Sequence, residues 1–219
     1  MALSYNPVLL NQLVAPGISG FTRAEIPDLR DQHPQASYWS TNYFLNNIYG
    51  AIFSATLPPK DSRFLLNLIY RAQIIFSLYH KARESTNLFH SKSTQDNPNV
   101  SIYIETISLW ESCFLNYLIF VDLLNKLHDS YKLDDQVFTK NDNSAEQRAH
   151  TISNAIKHWN PTETSIETMP MWLSNEGFHT SQYTLTYVEF SKIVDDIAKI
   201  ADENYNLISQ AMKSRKTSN

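Results

Sequence analysis

The sequence has little cysteine and little glycine, and both scarcities exclude classes of protein. Cys113 is the one cysteine among 219 residues, so no disulfide can form within the chain. A disulfide-stapled secreted scaffold is therefore excluded. Four glycines are too few for a collagen-like chain or for a glycine-rich loop that cradles phosphate. The 42% of apolar residues and the small net charge are typical of a folded globular chain.

The chain also lacks an excess of positive charge and a long unbroken apolar run. Eighteen Lys and Arg against 22 Asp and Glu leave a net charge of −4, which disfavours indiscriminate binding to nucleic-acid backbone. The most apolar stretch, residues 102–127, contains Glu105, Glu111 and Asp122, and a lipid-spanning helix rarely holds so many acids. No signal peptide is visible in residues 1–14. We therefore expect a cytoplasmic protein that does not enter a membrane.

Apolar residues recur at helical spacing along most of the chain. The pattern predicts five helices, over residues 38–54, 60–87, 102–131, 145–159 and 187–212. The third of these is apolar on nearly every face, and a helix of that kind is normally enclosed by other helices. We expect it to lie at the centre of the fold, with its few polar residues buried or nearly so.

The predicted boundaries of these helices have local causes. Ser144 with Gln147, and Thr186 with Glu189, have the spacing of a capping box at the start of the last two helices. Before the final helix, two short segments are predicted to pair as a β-hairpin around Gly177, which would tolerate a positive φ there. These segments are residues 169–173 and 183–185.

These elements predict an all-α fold, an antiparallel helical bundle with a short β-hairpin before the last helix. The chain divides into an irregular N-terminal segment (1–36), a single helical bundle domain (37–213) and a basic C-terminal tail (214–219). Prolines and glycines interrupt the periodicity of the first segment. Periodicity leaves open whether that segment wraps the bundle or reaches a partner.

The predicted fourth helix carries a polar stripe. Glu146, His150, Asn154 and His158 follow one another at intervals of four residues, and such a stripe drifts around the helix by only about 40° per step. A stripe that ends in His158 beside Lys157 can accept a phosphate or move a proton near neutral pH. The same spacing is also typical of a solvated helix face, and both interpretations stand at this point.

The segment Asn154-Ala-Ile-Lys157-His158 resembles the signature helix of the HEPN superfamily. The usual motif of that family is Arg followed four to six residues later by His, often written Arg-Asn-x-x-x-His. Asn154 and His158 match its Asn and its His, while Ser153 stands where the motif has Arg. The nearest upstream arginine is Arg148, ten residues before His158, which is about 15 Å along a helix.

The resemblance implies an antiparallel helical bundle. In active members it also implies a metal-independent ribonuclease whose two motif copies meet across a dimer interface. Carried over residue by residue, it implies His158 as general acid or base, Asn154 as the group that orients it or the phosphate, and Arg148 or Lys157 as the transition-state cation. Lys157 and His150 would contact the substrate. No metal or cofactor is implied, and the implied partners are a second copy, an RNA substrate or a cognate protein in a bacterial toxin–antitoxin or phage-defence system.

Two further hypotheses stay open on the residues alone. In the first, the chain is a non-catalytic helical interaction or assembly module, and Asn154 and His158 bond only neighbouring helices. In the second, it is a helical subunit of a larger nucleoprotein or phage-related complex, with an exposed basic patch formed by Arg63, Arg71, Arg83 and the basic C-terminal tail. A metal site is not expected, because the sequence has no Cys cluster and the fourth helix has no His-x-x-x-His pair.

Overall fold

The computed structural model describes residues 18, 20–45, 59–94, 96–131, 137–159 and 169–216. These residues are mostly helical and include one small antiparallel sheet. A 3₁₀ turn at Ala36–Tyr38 leads into helical residues 39–45. The main helices are α1 (Pro59–Lys92), α2 (Val100–Tyr131), α3 (Ala145–Lys157) and α4 (Tyr187–Lys216). The helical character predicted from the sequence is thus confirmed.

Helices α1 and α2 form an antiparallel pair. Pro59 opens α1 one residue before the predicted start, a position that suits proline because its missing N–H would have had no partner in the first turn. Arg71 near the start of α1 donates to Asn116 of α2 at 2.7 Å. At the other end of the pair, the hydroxyls of Ser85 and Thr106 share a hydrogen bond of 2.8 Å. The two helices therefore run in opposite directions along each other.

Helix α2 lies against the core, but it is not enclosed on every side as the sequence predicted. Ile104 and Ile119 are 45% and 38% exposed, and Asp122, expected to be buried, is also exposed. Helix α2 therefore buries its apolar residues against the core on one side only, although it has apolar residues on nearly every side. Among the described helices, α2 alone is long and apolar enough to cross a membrane. The core helix of a soluble protein meets the same criterion, and 44% of the apolar stretch of α2 is buried inside the protein.

The predicted β-hairpin is a three-stranded antiparallel sheet. Its strands are β1 (Trp172–Leu173), β2 (Gly177–His179) and β3 (Thr184–Thr186), in the order β1-β2-β3. Strand β2, whose residues 178–179 the prediction left out of any strand, pairs with both neighbours. Gly177 does not use its tolerance of a positive φ, since no described glycine has one. The backbone of β3 instead passes so close to Gly177 that no side chain fits there.

The predicted capping box at the start of α4 is confirmed. The Glu189 N–H donates to Thr186 Oγ1 at 3.1 Å, and the Thr186 N–H donates to Glu189 Oε2 at 2.9 Å. Phe190 and Val194, which follow, are fully buried. The helix continues through Lys216, so the first three residues of the predicted C-terminal tail are helical.

The described part of the irregular N-terminal segment wraps the helices. Phe21 and Leu29 are buried, and the hydroxyl of Tyr79 on α1 donates to the carbonyl of Pro27 at 2.8 Å. His33 lies between two carboxylates of α4, with ring nitrogens 2.9 Å and 2.6 Å from Asp195 and Asp202. Residues 1–17 of the predicted irregular segment, and residues 46–54 of the first predicted helix, lie outside the described residues.

Candidate functional site

Helix α3 carries the candidate site, and its first turn is set by local sequence. The Gln147 N–H donates to Ser144 Oγ at 3.2 Å, so the predicted N-cap is confirmed, and Gln147 Oε1 accepts from the Asn143 N–H at 2.6 Å. Ala149 and Ile152 are completely buried. The buried side of α3 therefore decides which way the predicted site residues point.

Arg148 is held inside the protein. Its Nη1 donates to the carbonyl of Thr184 at 2.6 Å, and its Nη2 forms an ion pair of 2.6 Å with Glu189 Oε1. The side chain is only 19% exposed. These contacts join α3 to β3 and to the first turn of α4, so that one guanidinium links three elements.

The carboxylate that receives Arg148 is kept ionised by its surroundings. The Arg148 guanidinium lowers the pKa of Glu189 to about 2, against the opposing effect of burial, and the bonds from Thr186 add to the lowering. One oxygen of Glu189 accepts the Thr186 N–H and hydroxyl, while the other faces Arg148. The capping carboxylate of α4 therefore also neutralises the arginine of α3.

His150 and Asn154 lie next to each other on α3. Asn154 Nδ2 is 3.2 Å from His150 Nδ1, and the imidazole packs on the Phe138 ring at 5.0 Å between centroids. Burial lowers the pKa of His150, although the Asp122 carboxylate acts in the opposite direction. Burial therefore favours the neutral form of the imidazole, and the tautomer that accepts the Asn154 amide at Nδ1 has its proton on Nε2.

His158 and Lys157 lie at the C-terminal end of α3 and are exposed. The helix ends at Lys157, two residues before the predicted end, and His158 is its C-cap. The His158 N–H donates to the carbonyl of Asn154 at 2.9 Å. An imidazole and an ammonium group are therefore available to solvent, or to a partner, at this end of α3.

The five predicted site residues do not share one place among the described residues of a single chain. His150 and Asn154 are in contact with each other, but they lie roughly 200–240° around the helix from Arg148. Arg148 contacts Thr184 and Glu189 instead. Sequence reasoning missed the partner of Arg148, although the capping box had identified Glu189 as an acid at a helix start.

The expected basic patch does not form from Arg71 and Arg83. Arg71 is half-buried and donates to Asn116. Arg83 donates from Nε to the carbonyl of Ile26 at 2.8 Å and pairs with Asp28 at 3.1 Å. Both cations therefore stabilise the packing of their own chain, while the side chain of Arg63 lies outside the described residues.

Within the described ranges, no group of three or more His, Cys, Asp or Glu side chains is placed to hold a metal ion.

Comparison of the chain with family models, with curated proteins and with solved structures found no match. The candidate site therefore offers three kinds of group. The imidazole of His158 and the ammonium of Lys157 are exposed. His150 and Asn154 are hydrogen-bonded to each other, and Arg148 is neutralised by a carboxylate.

Replacing Glu189 with glutamine is expected to lower the free energy of unfolding at pH 7 by about 1–2 kcal/mol, because a half-buried charged hydrogen bond is lost. The folded-state pKa of Glu189, about 2, lies below its ordinary value of 4.5. Its contribution is therefore complete above pH 4.5 and disappears as the pH falls from 4.5 towards 2. Urea unfolding of both proteins across this pH range measures the difference.

Glu203→Gln is the matched control, because Glu203 is an exposed acid on the same helix. We expect this variant to unfold like the unsubstituted protein at every pH. A difference between Glu189→Gln and the parent that stays constant from pH 7 to pH 2 would contradict the assigned role of the Arg148–Glu189 pair.

Proposed function

We propose that the protein is a HEPN-like helical module that takes part in assembly and does not cleave RNA. The observation that supports this proposal is the bonding of Arg148, which is the arginine of the two candidate transition-state cations. Both of its terminal nitrogens bond groups of the same chain, and the side chain is mostly buried. The guanidinium that the motif would use in catalysis here joins α3 to the sheet and to α4.

The physical reason concerns the charge that develops in phosphodiester cleavage. A ribonuclease of this kind needs a cation aimed at the anionic transition state, free of competing anions. Glu189 already neutralises Arg148 at 2.6 Å. Withdrawing Arg148 to meet a phosphate would leave the Glu189 carboxylate without its partner, which is unfavourable in a half-buried position.

A second candidate function is metal-independent RNA cleavage, as in a bacterial defence or toxin–antitoxin component. One observation favours it, namely the exposure of His158 and Lys157 at the end of α3. In a homodimer that brings two copies of α3 together, two such imidazoles and two ammonium groups would face one RNA strand. Lys157 would then supply the positive charge that Arg148 does not offer.

An RNA decay assay separates the two functions. Total RNA is incubated in EDTA with the purified protein, with His158→Ala, and with Lys81→Ala, which removes an exposed cation from α1. We expect no decay above background from any of the three. Decay by the unsubstituted protein and by Lys81→Ala, but lost by at least about tenfold in His158→Ala, would refute the non-catalytic proposal. Equal decay from all three would identify a contaminant and leave His158 without a catalytic role.

A further inference from the structure

Helix α2 has a continuous side that the described residues leave partly uncovered. We name it the open face of α2 and define it by Ile104, Ser108, Glu111, Ser112, Leu115 and Ile119. Ile104, Ser108 and Ile119 are exposed, and the other three are half-buried. Positions three, four and seven apart share one side of a helix, and the fifteen steps from Ile104 to Ile119 correspond to about 22 Å. This length fits a partner helix of four turns.

The charge along this side of α2 is predominantly negative. From Val100 to Asp129 the helix contains four acids and one lysine, Lys126, which lies one turn beyond Asp122. Two of the acids, Glu105 and Asp122, are exposed and flank the open face. An apolar stripe with acids on it and beside it complements a helix that carries apolar residues on one side and basic residues around them.

Glu111 gives independent evidence that the face is incomplete. Its carboxylate forms no hydrogen bond or ion pair with any residue the structure describes. Burial raises the pKa of the Glu111 carboxyl. A half-buried acid without a partner is unfavourable, and covering it further would require a cation or a hydrogen-bond donor.

We propose that the open face of α2 binds a basic amphipathic helix of a partner protein. Ile104, Leu115 and Ile119 would contact its apolar side, and Glu111 would receive a Lys or Arg. The inference rests on the proposed assembly function and names the class of partner. A second copy of α2 fits less well, because its acids would meet those of the first. A lipid surface also fits less well, because the same carboxylates would have to enter it without a partner.

The test uses a fluorescent 18-residue helical peptide of leucine and lysine, with leucine on one side, and the same peptide with glutamate for lysine. Fluorescence anisotropy is recorded with the full-length protein at low and at 0.5 M salt. We expect the lysine peptide to bind, the glutamate peptide not to bind, and salt to weaken binding. Ile104→Asp and Ile119→Asp should each weaken binding about tenfold or more, and Glu111→Gln about threefold.

Val188→Asp is the matched control, since Val188 is 50% exposed but lies on α4. It adds the same charge as the two isoleucine variants and should leave binding unchanged, and circular dichroism checks that all variants fold. Equal binding by Val188→Asp and Ile119→Asp, or no binding by the parent, would overturn the inference. Self-association or vesicle binding that Ile119→Asp abolishes, in a protein that does not bind the peptide, would overturn it too. None of these results depends on RNA decay, which tests the proposed function separately.

Discussion

Gly177→Ala is expected to lower the free energy of unfolding by about 3 kcal/mol, the upper end of the usual cost of overpacking. A Cβ atom at this position would lie 2.1 Å from the carbonyl oxygen of Leu185 and 2.7 Å from Cα of Thr186. Both are backbone atoms of β3, so no side-chain rotation relieves the contact. Strand β3 is itself held by the bond from Arg148 to the Thr184 carbonyl, and separating it from β2 would disturb that link as well.

Gly20→Ala is the control, because nothing lies within 4 Å of a Cβ atom built there. Its backbone does not have a positive φ. Alanine should therefore be neutral, or should stabilise the protein by up to about 1 kcal/mol because it lowers the conformational entropy of the unfolded chain. Urea unfolding of both variants measures the contrast. Equal stability of Gly177→Ala and Gly20→Ala would show that the sheet does not pack as described.

Trp110→Ala is expected to lower the free energy of unfolding by about 3–5 kcal/mol, which is typical of removing a large buried aromatic side chain. Trp110 on α2 is completely buried, and its Nε1 donates to Thr86 Oγ1 of α1 at 3.2 Å. Its ring packs edge-on against Phe178 of β2 at 4.9 Å and against Phe190 of α4 at 6.2 Å. The substitution therefore leaves a cavity where three helices and the sheet meet.

Trp159→Ala serves as the matched control, because Trp159 is 38% exposed just beyond α3. We expect it to change the free energy of unfolding by less than about 1 kcal/mol. The loss of stability in Trp110→Ala should appear together with loss of near-ultraviolet circular dichroism from the aromatic core. If the two tryptophan variants unfold alike, Trp110 does not occupy the centre of the core.

Helix starts were predictable because their causes are local. The Thr186–Glu189 box depends on residues three apart in sequence and forms as predicted. Ser144 caps α3 as predicted, although the side chain of Gln147 accepts the N–H of Asn143 and not that of Ser144. Helix ends were less predictable, because the residues that follow a predicted end often have nearly the same helix propensity as those before it. Helix α1 extends five residues past its predicted end at Asn87, where Phe89 is completely buried by tertiary packing.

The sheet and the candidate site depended on contacts between distant residues. Strand β2 has only three residues, too few for alternation to be recognised, and it exists because both neighbours pair with it. The partner of Arg148 lies 41 residues away in Glu189. The spacing of His150, Asn154 and His158 located the polar side of α3 correctly, but spacing within one helix could not show where Arg148 points.

Sequence by itself determined that the chain is mostly helical, where α3 and α4 begin, and that α3 presents a row of His and Asn side chains. These properties follow from periodicity and from bonds within one turn, so a few consecutive residues are enough to decide them. Only the tertiary structure decided that Arg148 is neutralised by Glu189, that Gly177 admits no side chain, and that α2 leaves one side partly uncovered. Each of these depends on which atoms of remote segments come within a few ångströms, and that is a property of how the helices and the sheet pack together.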